Sequence, residues 1–66
     1  MIVELIDESG GTIGKFQSAG APRVDETISY DSRQYVVRDV HWVVETNNNQ
    51  NIERIELVVS EVDEPR

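Results

Sequence analysis

The chain has 66 residues, room for one domain with one small core, so multi-domain architectures, solenoids and most stand-alone enzyme folds are excluded. A 38% hydrophobic share suits such a core, while 13 acidic residues against 6 Lys and Arg give a formal charge of −7. Cysteine is absent, which removes disulfides, thiolate metal ligands and thiol nucleophiles together and points to a reducing compartment, the cytoplasm.

In chain order, the first run is Ile2 to Ile6, where Val3 and Leu5 alternate with Glu4 as in a half-buried strand. Asp7-Glu8-Ser9-Gly10-Gly11 supplies turn residues, so a hairpin into Thr12 to Gln17 is expected, with Gly14 weakening that second strand. Ser18-Ala19-Gly20-Ala21-Pro22 reads as a connector, because Pro22 has no N–H to give to a ladder. A third strand, Thr27 to Tyr30, sets Ile28 and Tyr30 on one face, and Asp31-Ser32-Arg33 turns it into the longest run, Tyr35 to Glu45.

That run changes phase. Tyr35 and Val37 share one parity, Val40, Trp42 and Val44 the other, so one extra residue near Arg38-Asp39 would bring both sets inward. Such a β-bulge bends a strand enough for it to serve two parts of a curled sheet. The polar loop Asn47-Asn48-Asn49-Gln50-Asn51 then leads into Ile52 to Val62. There Ile55, Leu57 and Val59 alternate as a strand would, while Ile52, Ile55, Val59 and Val62 fit a helical stripe. The density of Ile and Val favours the strand, and a C-terminal helix over residues 52–63 is the alternative. Residues 63–66 read as a short frayed end. The expected fold is a single all-β domain, residues 1–66, with five antiparallel strands in hairpin order forming a curled sheet or partly open barrel.

The stretch Pro22-Arg23-Val24-Asp25-Glu26-Thr27-Ile28-Ser29-Tyr30-Asp31, followed by Arg33-Gln34-Tyr35-Val36-Val37-Arg38-Asp39-Val40-His41-Trp42, resembles the hairpin of SH3-like small barrels found in bacterial and phage proteins. In those a Pro-x-x-Gly-Asp step enters one strand and Tyr-x-Val-x-x-Val-x-Trp forms the next. This chain departs from the pattern at Asp25, where Gly is customary, and at Glu26, where Asp is often found. The resemblance implies a fold, since such barrels host adaptors, nucleic-acid binders, phage structural parts and inhibitors alike.

Chemistry-bearing constellations are sparse. His41, the single histidine, has Asp39 two residues before it, and two ligands do not make a metal site. The serines sit in no nucleophile elbow, and Gly10, Gly11 and Gly14 precede neither a helix nor a Lys-Ser/Thr pair. The acidic pairs Asp7-Glu8, Asp25-Glu26 and Asp63-Glu64 point opposite ways on extended backbone and read as turn chemistry. No enzyme activity, cofactor or metal is expected.

Direct nucleic-acid binding is not expected either, because one Lys and five Arg on so negative a body grip phosphates poorly. No apolar run reaches the roughly 18 residues of a membrane span, and the start Met1-Ile2-Val3-Glu4-Leu5 lacks the basic beginning of a signal peptide, so no membrane association is expected. What remains is binding to protein. In one reading the chain is an acidic inhibitor of phage type that occupies a partner's basic surface through Glu45, Glu53, Glu56 and Glu61, with Tyr30 and Trp42 as aromatic anchors. In the other it is an assembly module that self-associates or joins a larger complex, because Ile2, Ile6, Val36, Val58 and Val62, with Val44, exceed what one small core needs. An acidic face contiguous over the surface favours the first, and an even spread of charge crossed by an apolar edge favours the second.

Overall fold

The structure, a computed structural model, describes residues 1–47 and 50–62, with the backbone alone at 47 and 50–52. It contains five strands: β1 (Ile2–Asp7), β2 (Thr12–Gln17), β3 (Thr27–Tyr30), β4 (Arg33–Asn47) and β5 (Gln50–Glu61). They form one curled sheet in the order β2-β1-β5-β4-β3, a half-barrel compatible with the SH3-like resemblance. The helical alternative is not taken: β5 is the central strand, and its β-branched residues are hydrogen-bonded to a neighbour on each side. The frayed end at 63–66 and the loop tip at 48–49 lie outside the described residues.

The expected hairpins β1–β2, β3–β4 and β4–β5 are present and antiparallel. One further pairing makes the sheet mixed. β1 lies parallel beside β5, with Val3 level with Ile55 and Leu5 with Leu57. β2 and β3 are therefore opposite edges of the sheet, and the Ser18–Glu26 connection passes between them with Ala21 against the core.

The core follows from alternation. Val3 and Leu5 from β1, Ile55, Leu57 and Val59 from β5, and Tyr35 and Val37 from β4 are buried on the inner face. Each Val, Leu or Ile so buried contributes about 1.5–3 kcal/mol against an exposed side chain. The predicted bulge is there. Val37 pairs with Val59, Asp39 with Val58 and Val40 with Leu57, so Arg38 is the extra residue and Val40 returns to the face of Val37.

Gly14 has a different part from the weak point expected of it. It pairs with Leu5 on the inner face, where the phenol of Tyr30 from the far edge lies so close that a methyl group on Gly14 would overlap it. Phe16 flanks the same contact, its ring 6.2 Å from that of Tyr30. Side chains, not backbone, thus bring β2 and β3 together across the open side of the half-barrel.

Two turns hold non-glycine residues at positive φ. Asp31 and Ser32, at 52° and 66°, form the two-residue turn of β3–β4 in the mirror-image geometry that matches strand twist. Asp25 has φ 75° at the position where the resembling barrels carry glycine. Here the amide of Val37 donates to Glu26 O and the amide of Asp25 to Val37 O, which extends the β3 side of β4 by one step.

Ser32→Gly should raise stability by about 0.5–1 kcal/mol by relieving the left-handed strain, seen as a higher denaturant midpoint at unchanged slope. Gly14→Ala should lower stability by about 1–3 kcal/mol through overpacking against Tyr30. Tyr30→Ala should then cost less in the Gly14→Ala background than in the wild type. Equal costs in the two backgrounds would show that the seam contact carries no energy.

Candidate functional site

Strand lengths define the exposed part of the molecule. β3 pairs with β4 only over Arg33–Val36, and β1 pairs with β5 only over Arg54–Val59. Beyond the bulge β4 therefore has β5 on one side and, among the described residues, no strand on the other. The hairpin projects: the radius of gyration is 13.0 Å and the extents are 52 × 24 × 19 Å, where a compact chain of this length has a radius near 11 Å.

Backbone groups on the free side of β4 can be placed by alternation. Val62 N donates to Gln34 O, so Gln34 faces β5, while Val37 turns both N–H and C=O toward the β3 side. The bulge sets Arg38 and Asp39 together opposite Val58. Val40, Trp42, Val44 and Thr46 then direct N–H and C=O away from β5, the Val40 N–H being taken up by Asp39 Oδ1 at 2.9 Å. The same residues carry side chains on the inner face, where Val40 packs against the core, Trp42 lies opposite Ile55 and Val44 opposite Glu53. Trp42 is 50% exposed and Val44 55%. In phase with the core but beyond the reach of β1 and β2, they leave an apolar stripe beside an unpaired backbone.

The outer face of the hairpin carries charge of both signs. His41 Nδ1 lies 3.2 Å from Glu56 Oε1, and Arg54 reaches Glu45 Oε1 at 3.5 Å and Glu56 Oε2 at 3.4 Å. Arg54 Nε is buried and has no hydrogen-bond partner among the described residues. These long, partly exposed contacts contribute at most about 1 kcal/mol each. The parallel register also sets Glu4 beside Glu56, with Lys15 opposite Glu4 on β2 and Thr12 Oγ1 donating to Glu4 Oε2.

The expected binding residues are divided among three places. Trp42, Glu45, Glu53 and Glu56 share the hairpin, with Glu53 on the inner face and Glu45 and Glu56 on the outer. Glu61 is near the other end of β5, its carboxylate 3.4 Å from Arg33. Tyr30 belongs to the seam with Gly14 and Phe16 rather than to an outward surface. Arg38 Nε donates to Ser60 Oγ, which itself donates to Glu8 Oε1. A shallow open depression lined by Ile2, Lys15, Phe16 and Gln17 lies along β2.

Sequence reasoning did not single out the backbone edge itself. Its signal was present in the strand lengths, since the eleven residues from Tyr35 to Glu45 follow a strand of only four, Thr27 to Tyr30, and the surplus has to overhang on that side.

Among the turns, Asp7 closes β1–β2 with its carboxylate. Oδ1 accepts Ser9 N, Ser9 Oγ and Gly11 N at 2.9, 2.6 and 2.9 Å. The Ser9 hydroxyl first, then the Gly11 amide, stabilise the ionised form and hold the carboxyl below its ordinary range.

No family model, curated protein or solved structure matches the chain.

Because the folded-state pKa of Asp7 is lowered, its contribution is present above the unfolded value near 3.9 and is lost as pH falls through the folded value. Asp7→Asn should therefore lower the melting temperature at pH 7, and the gap to wild type should close below about pH 4. A gap that stays constant from neutral to acid pH would show that the charge of Asp7 has no part in the turn.

Proposed function

We propose that this protein is a non-enzymatic protein-binding module that joins an assembly by strand addition along the free side of β4. The observation that carries the reading is the coincidence of an unpaired backbone with the half-exposed Trp42 and Val44. Main-chain groups on such an edge supply affinity, and alternate side chains supply selectivity. The charge pattern supports the same choice, since Glu4 faces Lys15 while Glu45 and Glu56 have Arg54 and His41 beside them, an interspersed surface crossed by an apolar edge. On the Pro22 to Trp42 resemblance we place the chain with SH3-like barrels of bacterial or phage type, and on the absence of cysteine we place it in the cytoplasm.

The inhibitor that occupies a basic surface is the second reading, favoured by the charge of −7 and by the juxtaposition of Glu4 and Glu56. The two differ in what they respond to. Val44→Pro removes one outward N–H without touching the β4–β5 ladder, a position where proline is tolerated at a sheet edge. With immobilised chain and cell extract, edge binding should fall at least about tenfold in Val44→Pro and change little between about 50 and 500 mM salt. Loss of capture with salt, and none in Val44→Pro, would replace edge binding by charge mimicry.

A further inference from the structure

The free side of β4 is unlike the other two edges of the sheet. β2 carries Lys15 and Gly14 within its six residues, and β3 is only four residues long, both of which discourage further pairing. The segment Val40-His41-Trp42-Val43-Val44-Glu45-Thr46 has no proline, no lysine and no bulge inside it, and half of its inner-face side chains are apolar and exposed. An edge of this kind is a ready template for pairing with another strand.

We infer that its partner is a second copy of this chain, paired antiparallel through β4 about a twofold axis at Val43. The inference rests on the edge-binding reading above and names its occupant.

Three conditions select the register. The inner faces of both copies have to lie on the same side, which requires residues of equal parity to stand opposite one another. The outward-pointing residues Val40, Trp42, Val44 and Thr46 have to meet each other, since only they present N–H and C=O on that side. Like charges have to be kept apart. An axis at Trp42 meets the first two and fails the third, because it sets Asp39 opposite Glu45 of the second copy. An axis at His41 sets the two histidines against each other, and an axis at Val44 sets Glu45 against Val43.

With the axis at Val43 each condition is met. Trp42 stands opposite Val44 of the second copy, so four half-exposed apolar side chains come together on the inner face. Val40 stands opposite Thr46 with its C=O free and its N–H already given to Asp39 Oδ1 at 2.9 Å, so these exchanges make about six main-chain hydrogen bonds. On the outer face His41 stands opposite Glu45 of the second copy. His41 Nδ1 lies 3.2 Å from Glu56 Oε1, so Nε2 is the ring nitrogen left for Glu45 of the second copy, and Glu45 is in turn beside Arg54 of its own copy. The row then reads Glu56, His41, Glu45, Arg54, with no two carboxylates facing each other across the seam, twice over by symmetry. The result is a continuous ten-stranded sheet in which the long open edge of β4 has been removed.

The absence of cysteine makes the register directly testable. Directly opposed residues that are not hydrogen-bonded to each other have Cα atoms about 4.5 Å apart, within reach of a disulfide. Val43→Cys should therefore cross-link to a covalent dimer under mild oxidation, whereas Trp42→Cys and Val44→Cys, offset by two residues from their own symmetry mates, should not. Sedimentation equilibrium up to about 100 µM should show a dimer for the wild type and about a tenfold weaker one for Val44→Pro, with circular dichroism confirming that the variant is folded. Because each copy carries −7, dimerisation should tighten with salt, the opposite of a charge mimic meeting a basic partner. A wild type that stays monomeric over this range, or cross-linking at 42 or 44 instead of 43, would overturn the inference. If that monomer still loses partner capture in Val44→Pro, the edge binds a different protein and the broader reading stands. If the dimer forms and Val44→Pro leaves it unchanged, pairing through β4 is wrong.

Discussion

Side chains alternate along a strand, so a regular β4 would bury either Tyr35 and Val37 or Val40 and Trp42, and never both sets. The extra residue at Arg38 restores Val40 to the face of Val37, and most of the architecture follows from that one insertion. It keeps the body of the half-barrel and the projecting hairpin on one continuous inner face. It also keeps the outward backbone groups of Val37 and Val40 on the same side of the strand. The edge that β3 and the Asp25–Glu26 step occupy up to Val37 is thus the same edge that lies open from Val40 onward. The bulge both ends the β3 ladder and begins the exposed one.

Local patterning anticipated what is local. The five strands, the turn at Asp31-Ser32 and the bulge are all readable from alternation and turn residues within a few positions of one another. The parallel pairing of β1 with β5 is not local, because nothing in Val3-Glu4-Leu5 distinguishes β2 as its sole neighbour from β2 and β5 as neighbours on its two sides. Gly14 illustrates the same limit. Within its own strand it is a residue of poor β propensity, and only the approach of Tyr30 from the opposite edge explains why a Cβ has no room there. Asp25 is the reverse case: its φ of 75° lies in the region glycine enters most readily, and the sequence shows an aspartate where the resembling pattern has glycine.

Trp42 stands between these cases. Its parity assigned it correctly to the inner face, yet burial depends on how far β1 and β2 extend over that face, and both stop short. Parity fixes direction and neighbours fix coverage. An in-phase aromatic near the end of the longest strand is for this reason a poor core residue and a good contact residue, and the mismatch in strand length is what separates the two roles. The acidic residues divide in the same way. Side-chain identity picked out Glu45 and Glu56, but only the cross-strand register brings Arg54 between them and His41 opposite Glu56.

Charge then acquires a meaning different from mimicry. A small barrel with a long bare edge is at risk of pairing in any register with any other edge, including further copies of itself. Interspersed carboxylates make most registers unfavourable, because a shift by two residues along β4 exchanges an attractive neighbour for a repulsive or unmatched one. A net −7 adds a uniform repulsion that opposes loose association, while the proposed pairing, hydrogen-bonded and without facing carboxylates, is the exception. On this view the acids of the hairpin do not form the binding surface. In the proposed pairing they restrict which partner and which register the apolar edge beside them accepts.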